Sequence, residues 1–286
     1  MESYQEKLQR AYAHLEAFNN SINVWHNSQP YEILPHRETH DGVGYTAAWY
    51  IRQVKEFDPV WSLIVGDALF DMRSALDHLA FALAQAHCLA QQISIRERDV
   101  SFPIYTSDTD FKKSGVTAIS QMDPAVQAKI ETLQPYNRPD RAYLVALGTL
   151  KALNDVDKHR RFVLEGEAES SGGIHIGSAG PAAMRTGYRV AAFKATLSGV
   201  GSETKIMEFG WPMAVPRPEM NVEAKLTFHP TLAKTSRVVP GARVMDVLVD
   251  IFQSINAEVL PVLGSALSKG RSSFAPAVVS TVIPIK

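Results

Sequence analysis

Apolar residues recur at three- and four-residue spacing over positions 3–28, where Tyr4, Leu8, Ala11, Tyr12, Leu15, Phe18, Ile22 and Trp25 line one face of an amphipathic helix. Pro30 ends that pattern. Residues 31–38 and 43–55 then read as two strands around His40-Asp41-Gly42-Val43-Gly44, a glycine-bearing hairpin loop. Asp58-Pro59 supplies a cap and a first-turn proline for a helix running to about residue 90. Phe102-Pro103-Ile104-Tyr105 reads as extended, and Asp123-Pro124 opens a short helix ending near Gln134-Pro135-Tyr136. Residues 140–160 predict a further helix, with Leu144, Leu147, Leu150 and Leu153 on its buried side.

After Arg161 the period changes from helical to alternating. Val222, Ala224, Leu226 and Phe228 alternate with Glu223, Lys225, Thr227 and His229, which predicts a half-buried strand. Weaker runs of the same kind lie at 161–168, 187–198 and 203–211, and Gly172-Gly173 and Gly177 read as turn glycines between them. A last helix is expected at 241–264, followed by the apolar tail SSFAPAVVSTVIPIK. The expected class is α+β: a bundle-like helical part (1–160), a strand-rich part (161–235) forming an antiparallel sheet and a C-terminal helix, in one interwoven domain.

Composition narrows this only at the margins. Apolar residues make up 45% and charged residues 21% of the 286, ordinary globular usage, so long disorder is not expected. The formal net charge of −1 provides no general field for nucleic acid or anionic membranes, and binding to either needs a local patch. Cys88 is the one cysteine; it excludes an intrachain disulfide and sits in a helical apolar run, where a buried inert thiol is expected. No apolar signal-peptide core opens the chain, and no stretch approaches the ~20 apolar residues of a membrane span, so a cytoplasmic protein is expected. No cofactor is indicated, and a homo-oligomer remains open.

The candidate chemistry lies on the second helix. On its wheel Ala68, Leu69, Met72, Ala75, Leu76, Leu79 and Leu83 form one broad apolar face, while Asp67, Asp71, Ser74 and His78 fall in a stripe opposite. A solvent face is the plain reading of such a stripe. However, Phe70 and Phe81 border it on one side and Ile64 and Ala82 on the other, and no lysine or glutamate occurs between Asp58 and Gln91. A helix apolar nearly all round is expected to be buried, and its charged groups then need partners. Arg73 and Asp77, four apart on a neighbouring strip, are placed for an intrahelical ion pair.

A second polar cluster closes the 140–160 helix: Leu153-Asn154-Asp155-Val156-Asp157-Lys158-His159-Arg160-Arg161. If the helix persists, Asn154, Asp157 and Arg161 continue the buried stripe, and Asp155 and His159 are spaced to pair. A basic run at a helix C-terminus also complements the macrodipole. The functional reading sets Asp157 or His159 against the first stripe, as a carboxylate–histidine–arginine site.

Gly66-Asp67-Ala68-Leu69-Phe70-Asp71-Met72-Arg73-Ser74-Ala75-Leu76-Asp77-His78-Leu79, Phe102-Pro103-Ile104, Leu133-Gln134-Pro135-Tyr136 and Asp157-Lys158-His159-Arg160 together resemble an uncharacterised bacterial family with "RSALDHL", "FPI" and "DKHR" motifs. The resemblance covers about residues 60–160 and implies no established activity. Arg73-Ser74-Ala75-Leu76-Asp77-His78 also resembles the arginine–histidine signature of HEPN ribonucleases. That resemblance implies His78 as acid/base and Arg73 as the stabiliser of phosphate charge. On an unbroken helix the two residues point about 140° apart, and the asparagine often found beside that arginine is missing.

Three functions compete. The first is a metal-free acid/base phosphodiesterase built on His78, Arg73, Asp71, Asp157 and His159, with Asp67, Ser74, Asn154 and Arg161 as binding groups. The second is a metal-dependent hydrolase using Asp67, Asp71 and His78 with Asp157 or His159 as ligands. The third is a non-catalytic binding or scaffold protein whose charged stripe is a structural network. No HExxH, phosphate loop, dinucleotide fingerprint or Gly-x-Ser-x-Gly elbow is present to favour another class.

Overall fold

The first periodic segment forms α1 (Ser3–Asn27) and the second α2 (Val60–Ala90). A computed structural model describes residues 2–138, 145–177, 189–192, 195–197, 199–214 and 219–267. Expectations that fall on 140–144, 187–188, 198 and the tail beyond 267 lie outside the described residues. The protein is α+β with antiparallel sheets, and its packing divides it into two compact units. One comprises the described residues of Met1–Asn20, Val60–Phe162 and Thr235–Lys286; the other comprises those of Ser21–Pro59 and Val163–Lys234.

In the helical unit, α2 buries the face its pattern marks: Ala68, Leu69, Met72, Ala75, Leu76, Leu79 and Leu83 are all in the core. Tyr4, Leu8, Ala11, Leu15 and Phe18 of α1 are buried too, and Phe18 meets Trp61 edge-on at 6.0 Å between ring centres. Beyond α2, α3 (Pro124–Thr132) starts where Asp123-Pro124 directs it: the Asp123 carboxylate accepts from the Ala125 amide at 2.8 Å and Pro124 occupies the first turn. α4 (Ala146–Asp157) buries Leu147, Leu150, Leu153 and Asn154. Cys88 is buried as expected, its thiol 3.7 Å from the Gln121 carbonyl.

The last helix, α5 (Val244–Leu267), contains a π-helical turn at Ile255–Val259. By length and composition it is the one helix among the described residues apolar enough to cross a membrane, which the sequence reading did not anticipate. Asp246, Asp250 and Glu258 break its apolar run, while Val244, Leu248, Ile251, Ile255, Val259 and Leu263 are buried; α5 packs on α2, α3 and α4. These buried residues recur at helical spacing along one face.

In the strand unit, β1 (Tyr31–His40) and β2 (Gly44–Gln53) form the expected hairpin. Its loop closes because the Asp41 carboxylate accepts from the Val43 and Gly44 amides, both at 2.9 Å, while Gly42 takes φ +87°. The 161–168 run is the start of a longer strand, β3 (Leu164–Gly177). The 187–198 run divides into β4 (Arg189–Ala192) and β5 (Ala195–Leu197), and β6 (Glu203–Pro212) and β7 (Glu219–Leu232) follow.

Two sheets result, with strand orders β1-β2-β6-β4 and β5-β3-β7. β4 and β5 therefore serve different sheets, since alternation gives each segment its period but not its hydrogen-bonding partner. Gly172, Gly173 and Gly177 are not turn residues: β3 stays paired with β7 from Leu164↔Leu232 to Gly177↔Glu219, and the long ladder carries the glycines through. The strand unit's core includes Trp25 of α1, whose ring lies 4.4 Å from Phe228 and 5.3 Å from Phe57, and whose indole N–H donates to the Glu56 carbonyl at 2.8 Å.

Candidate functional site

Within the helical unit, neighbours grip α2 from two opposite sides. On one side Asp71, 3% exposed, faces α1. Lys7 Nζ donates to its Oδ1 at 2.8 Å, Arg10 Nε stands 3.2 Å from Oδ2, and His14 Nε2 lies 3.4 Å from Oδ2, out of line for a hydrogen bond. A buried carboxylate needs such partners. Asp71 is therefore enclosed as the stripe required, and Lys7, Arg10 and His14 are the groups the sequence reading missed. Their spacing of three and four along α1, beside its apolar face, is the signal that marks them.

The other side belongs to α4. Asp157 sets its carboxylate against Gly66: a Cβ there would lie 2.6 and 2.7 Å from its two oxygens, so any side chain at this position would push the carboxylate aside. Burial pushes the Asp157 carboxyl up, and the nearby Asp67 carboxylate pushes it further. No cation neutralises either acid among the described residues. A raised carboxyl pKa means that the fold holds the proton more tightly than the unfolded chain does. Stability is then fully present below about pH 4 and falls as pH rises through the elevated value. Melting curves of dilute protein should show Asp157→Asn gaining on the parent as pH is raised from 4 to neutrality; parallel curves would refute the burial argument.

The rest of the cluster does not join this contact. α4 ends at Asp157, so Lys158, His159, Arg160 and Arg161 leave the helix and are exposed. Arg161 therefore does not continue the buried stripe, although Asn154 does. Asp155 pairs with Lys151 and Lys158, each at 3.0 Å, rather than with His159. Burial acts to raise the Asp155 carboxyl, but those two ammonium groups outweigh it and hold the group below its usual range.

Arg73 and Asp77 form the intrahelical pair, at 2.7 Å, and have a further task. Arg73 Nη2 donates to the Phe102 carbonyl at 2.7 Å, and the Phe102 amide donates to Asp77 Oδ1 at 2.9 Å. Two charged side chains of α2 thus hold both backbone groups of Phe102. Gln134, 2% exposed, continues along the same segment: its Oε1 accepts from the Tyr105 amide at 3.0 Å, and its Nε2 donates to the carbonyls of Pro103 and Ile130 at 2.9 and 3.0 Å. The segment 102–105 has no strand partner among the described residues, and these side chains satisfy backbone groups that burial would otherwise orphan. The "RSALD", "FPI" and "LQP" motifs meet in this single clamp.

Between the α1 side and the α4 side runs a strip of α2 that no other described element covers. Asp71 and Gly66 are about 140° apart on the wheel, and the strip fills the arc between them. On it Asp67 is exposed, Leu63 is 51% and Phe70 58% exposed, and Ser74, His78 and Phe81 are half-buried. The expectation that the whole stripe faces protein is corrected here: Asp71 alone is enclosed, because α1 and α4 flank the helix without closing over it. Lys7 Nζ stands 5.4 Å from the centre of the Phe70 ring, at its edge of the strip. Ser74 and His78 have no hydrogen-bond or ionic partner among the described residues.

No three His, Cys, Asp or Glu side chains converge as a metal-holding group among the described residues, so Asp67, Asp71, His78, Asp157 and His159 are not assembled around one point. The fold and this helix face define an α+β protein with an exposed amphipathic strip on its central helix. Comparison of the chain with protein-family models, curated proteins and solved structures finds no match.

Proposed function

We propose that this protein is a non-catalytic binding or scaffold protein, in which the charged groups of α2 are structural and its uncovered strip is the docking face. The carrying observation is the occupation of Arg73. A phosphodiesterase centred on Arg73 and His78 needs the guanidinium free to meet a phosphate. Instead it holds Asp77 and the Phe102 carbonyl, while His78 points to the strip on another side of the unbroken helix. Asp71 is likewise committed to Lys7 and Arg10. What α2 leaves outward, with Leu63 and Phe70 at its centre, is contact surface rather than acid/base machinery.

The test is hydrolysis by the full chain of a single-stranded RNA oligonucleotide and of bis(nitrophenyl) phosphate, with and without magnesium, manganese or zinc. The expected result is no turnover that depends on His78 or Asp157. Turnover that disappears in His78→Ala or Asp157→Ala, at unchanged melting temperature, would establish an enzyme and remove this reading.

A further inference from the structure

At the ends of the "FPI" and "LQP" segments the geometry points to a binding site for a methylated ammonium group, built by Tyr105, Tyr136 and Glu131 of the helical unit. The α2 strip plays no part in it. Three features carry the inference: how the rings are held, how they are oriented and which charge stands beside them.

The rings are held by the clamp on the 102–105 segment. Gln134 accepts from the Tyr105 amide at 3.0 Å and immediately precedes the turn Pro135–Asn137 that carries Tyr136. A single buried amide side chain thus brings together two tyrosines about thirty residues apart. Both rings contact Phe111, which is 1% exposed. Tyr105 meets it at 6.1 Å between ring centres and 79° between planes, and Tyr136 at 5.7 Å and 54°. At such angles the rings do not stack face to face, and both tyrosines stay half-buried. Phe111 is the apolar backing, while the tyrosines supply π-surface that is not sealed in the core.

The charge beside them is negative. Glu131, exposed in the last turn of α3, accepts from the Tyr136 hydroxyl at 3.3 Å and has no ion-pair partner among the described residues. Asp108 also acts on Tyr136, but Lys112 Nζ holds it at 2.7 Å. Burial, then the Glu131 and Asp108 carboxylates, push the Tyr136 phenol up to about 12, so the hydroxyl stays neutral near physiological pH. Two carboxylates and one ammonium leave one negative charge over beside the rings.

Aromatic faces with a spare carboxylate select a cation. A bare divalent ion needs several oxygen or imidazole ligands, and no three such side chains converge among the described residues. A methylated ammonium spreads its charge over methyl groups that pack on aromatic carbon, and Glu131 supplies the counter-charge. A free quaternary amine and a trimethylated lysine side chain both present this group.

Isothermal titration of the full chain with choline chloride, and separately with a short peptide carrying trimethyllysine, tests the site. The expected result is saturable binding of at least one probe with a dissociation constant below about 1 mM. Binding of choline alone assigns a small quaternary amine, and binding of the peptide alone a methylated protein segment. The neutral isostere 3,3-dimethylbutanol has choline's shape without its charge; it and the unmethylated peptide should each bind at least about tenfold more weakly. Glu131→Gln keeps an acceptor for the Tyr136 hydroxyl but removes the charge, and should weaken binding about tenfold. Tyr136→Ala should abolish it. Glu131 is exposed, so its variant keeps the test decisive if Tyr136→Ala fails to fold. Absence of saturable binding by either probe up to about 10 mM overturns the inference. So does binding indifferent to Glu131→Gln, or equal binding of the neutral isostere. None of these results bears on hydrolysis, so failure here is distinguishable from failure of the non-catalytic reading.

Discussion

Gln134→Ala should lower stability by about 3 kcal/mol, one of the two largest effects expected of a single side chain here. The change removes three hydrogen bonds at once, from the Tyr105 amide and to the Pro103 and Ile130 carbonyls. It also empties the space of a side chain 2% exposed, so water has little access to the groups left behind. Each buried backbone group without a partner costs roughly 1–3 kcal/mol, which is why the sum is large for a neutral residue. Gln134→Glu should not rescue it, because a carboxylate can accept from Tyr105 but cannot donate to either carbonyl. Urea unfolding followed by circular dichroism measures the loss, and amide exchange at Tyr105 should quicken in parallel. Unchanged unfolding would mean that the 102–105 segment is held by its apolar side chains alone.

Gly166→Ala should cost the strand unit a similar amount, about 3 kcal/mol, by crowding rather than by a lost bond. A Cβ at this position would stand 2.2 Å from Phe228 Cε2 and 2.9 Å from Phe57 Cζ. Phe228 is 4% exposed and packs against the rings of both Trp25 and Phe57, so its ring has little room to turn. The backbone cannot yield either, since Gly166 is paired with Leu197 on one side and Pro230 on the other. Shortening the obstacle should help: Phe228→Leu with Gly166→Ala should lose less than the two changes separately. Additive losses, read from denaturation midpoints, would show that the clash is relieved elsewhere.

These two residues also show what could be read in the chain and what could not. Gln134 was visible only as the end of a short helix before Pro135. Its capture of a segment some thirty residues away belongs to packing, because an amide side chain serves equally well on a surface. Arg73 and Asp77 were legible as a pair from their spacing, yet nothing in that spacing names Phe102 as the third member. Asp71 is the clearest case. Its need for a partner followed from the apolar surroundings on α2, but its partners Lys7, Arg10 and His14 come from a helix about sixty residues earlier. They were not found because each is also an ordinary surface residue of an amphipathic helix.

The expectation that α4 carries its stripe through Arg161 failed for a related reason. The helix stops at Asp157, and a basic run suits a frayed helix end as well as a continuing one. The division of the 187–198 run between two sheets was equally hidden.

By itself, the sequence determined the α+β class, the positions of α1, α2, α3 and the first hairpin, and which face of α2 is apolar. These follow from period, capping residues and turn residues, all of which act within a few positions of one another. Tertiary structure alone decided which remaining faces are covered: Asp71 by α1, Gly66 by Asp157, Phe102 by Arg73 and Asp77, and the Leu63–Phe70 strip by none of the described residues of the helical unit. Coverage depends on where whole elements come to rest, and a residue's neighbours in the chain do not carry that information.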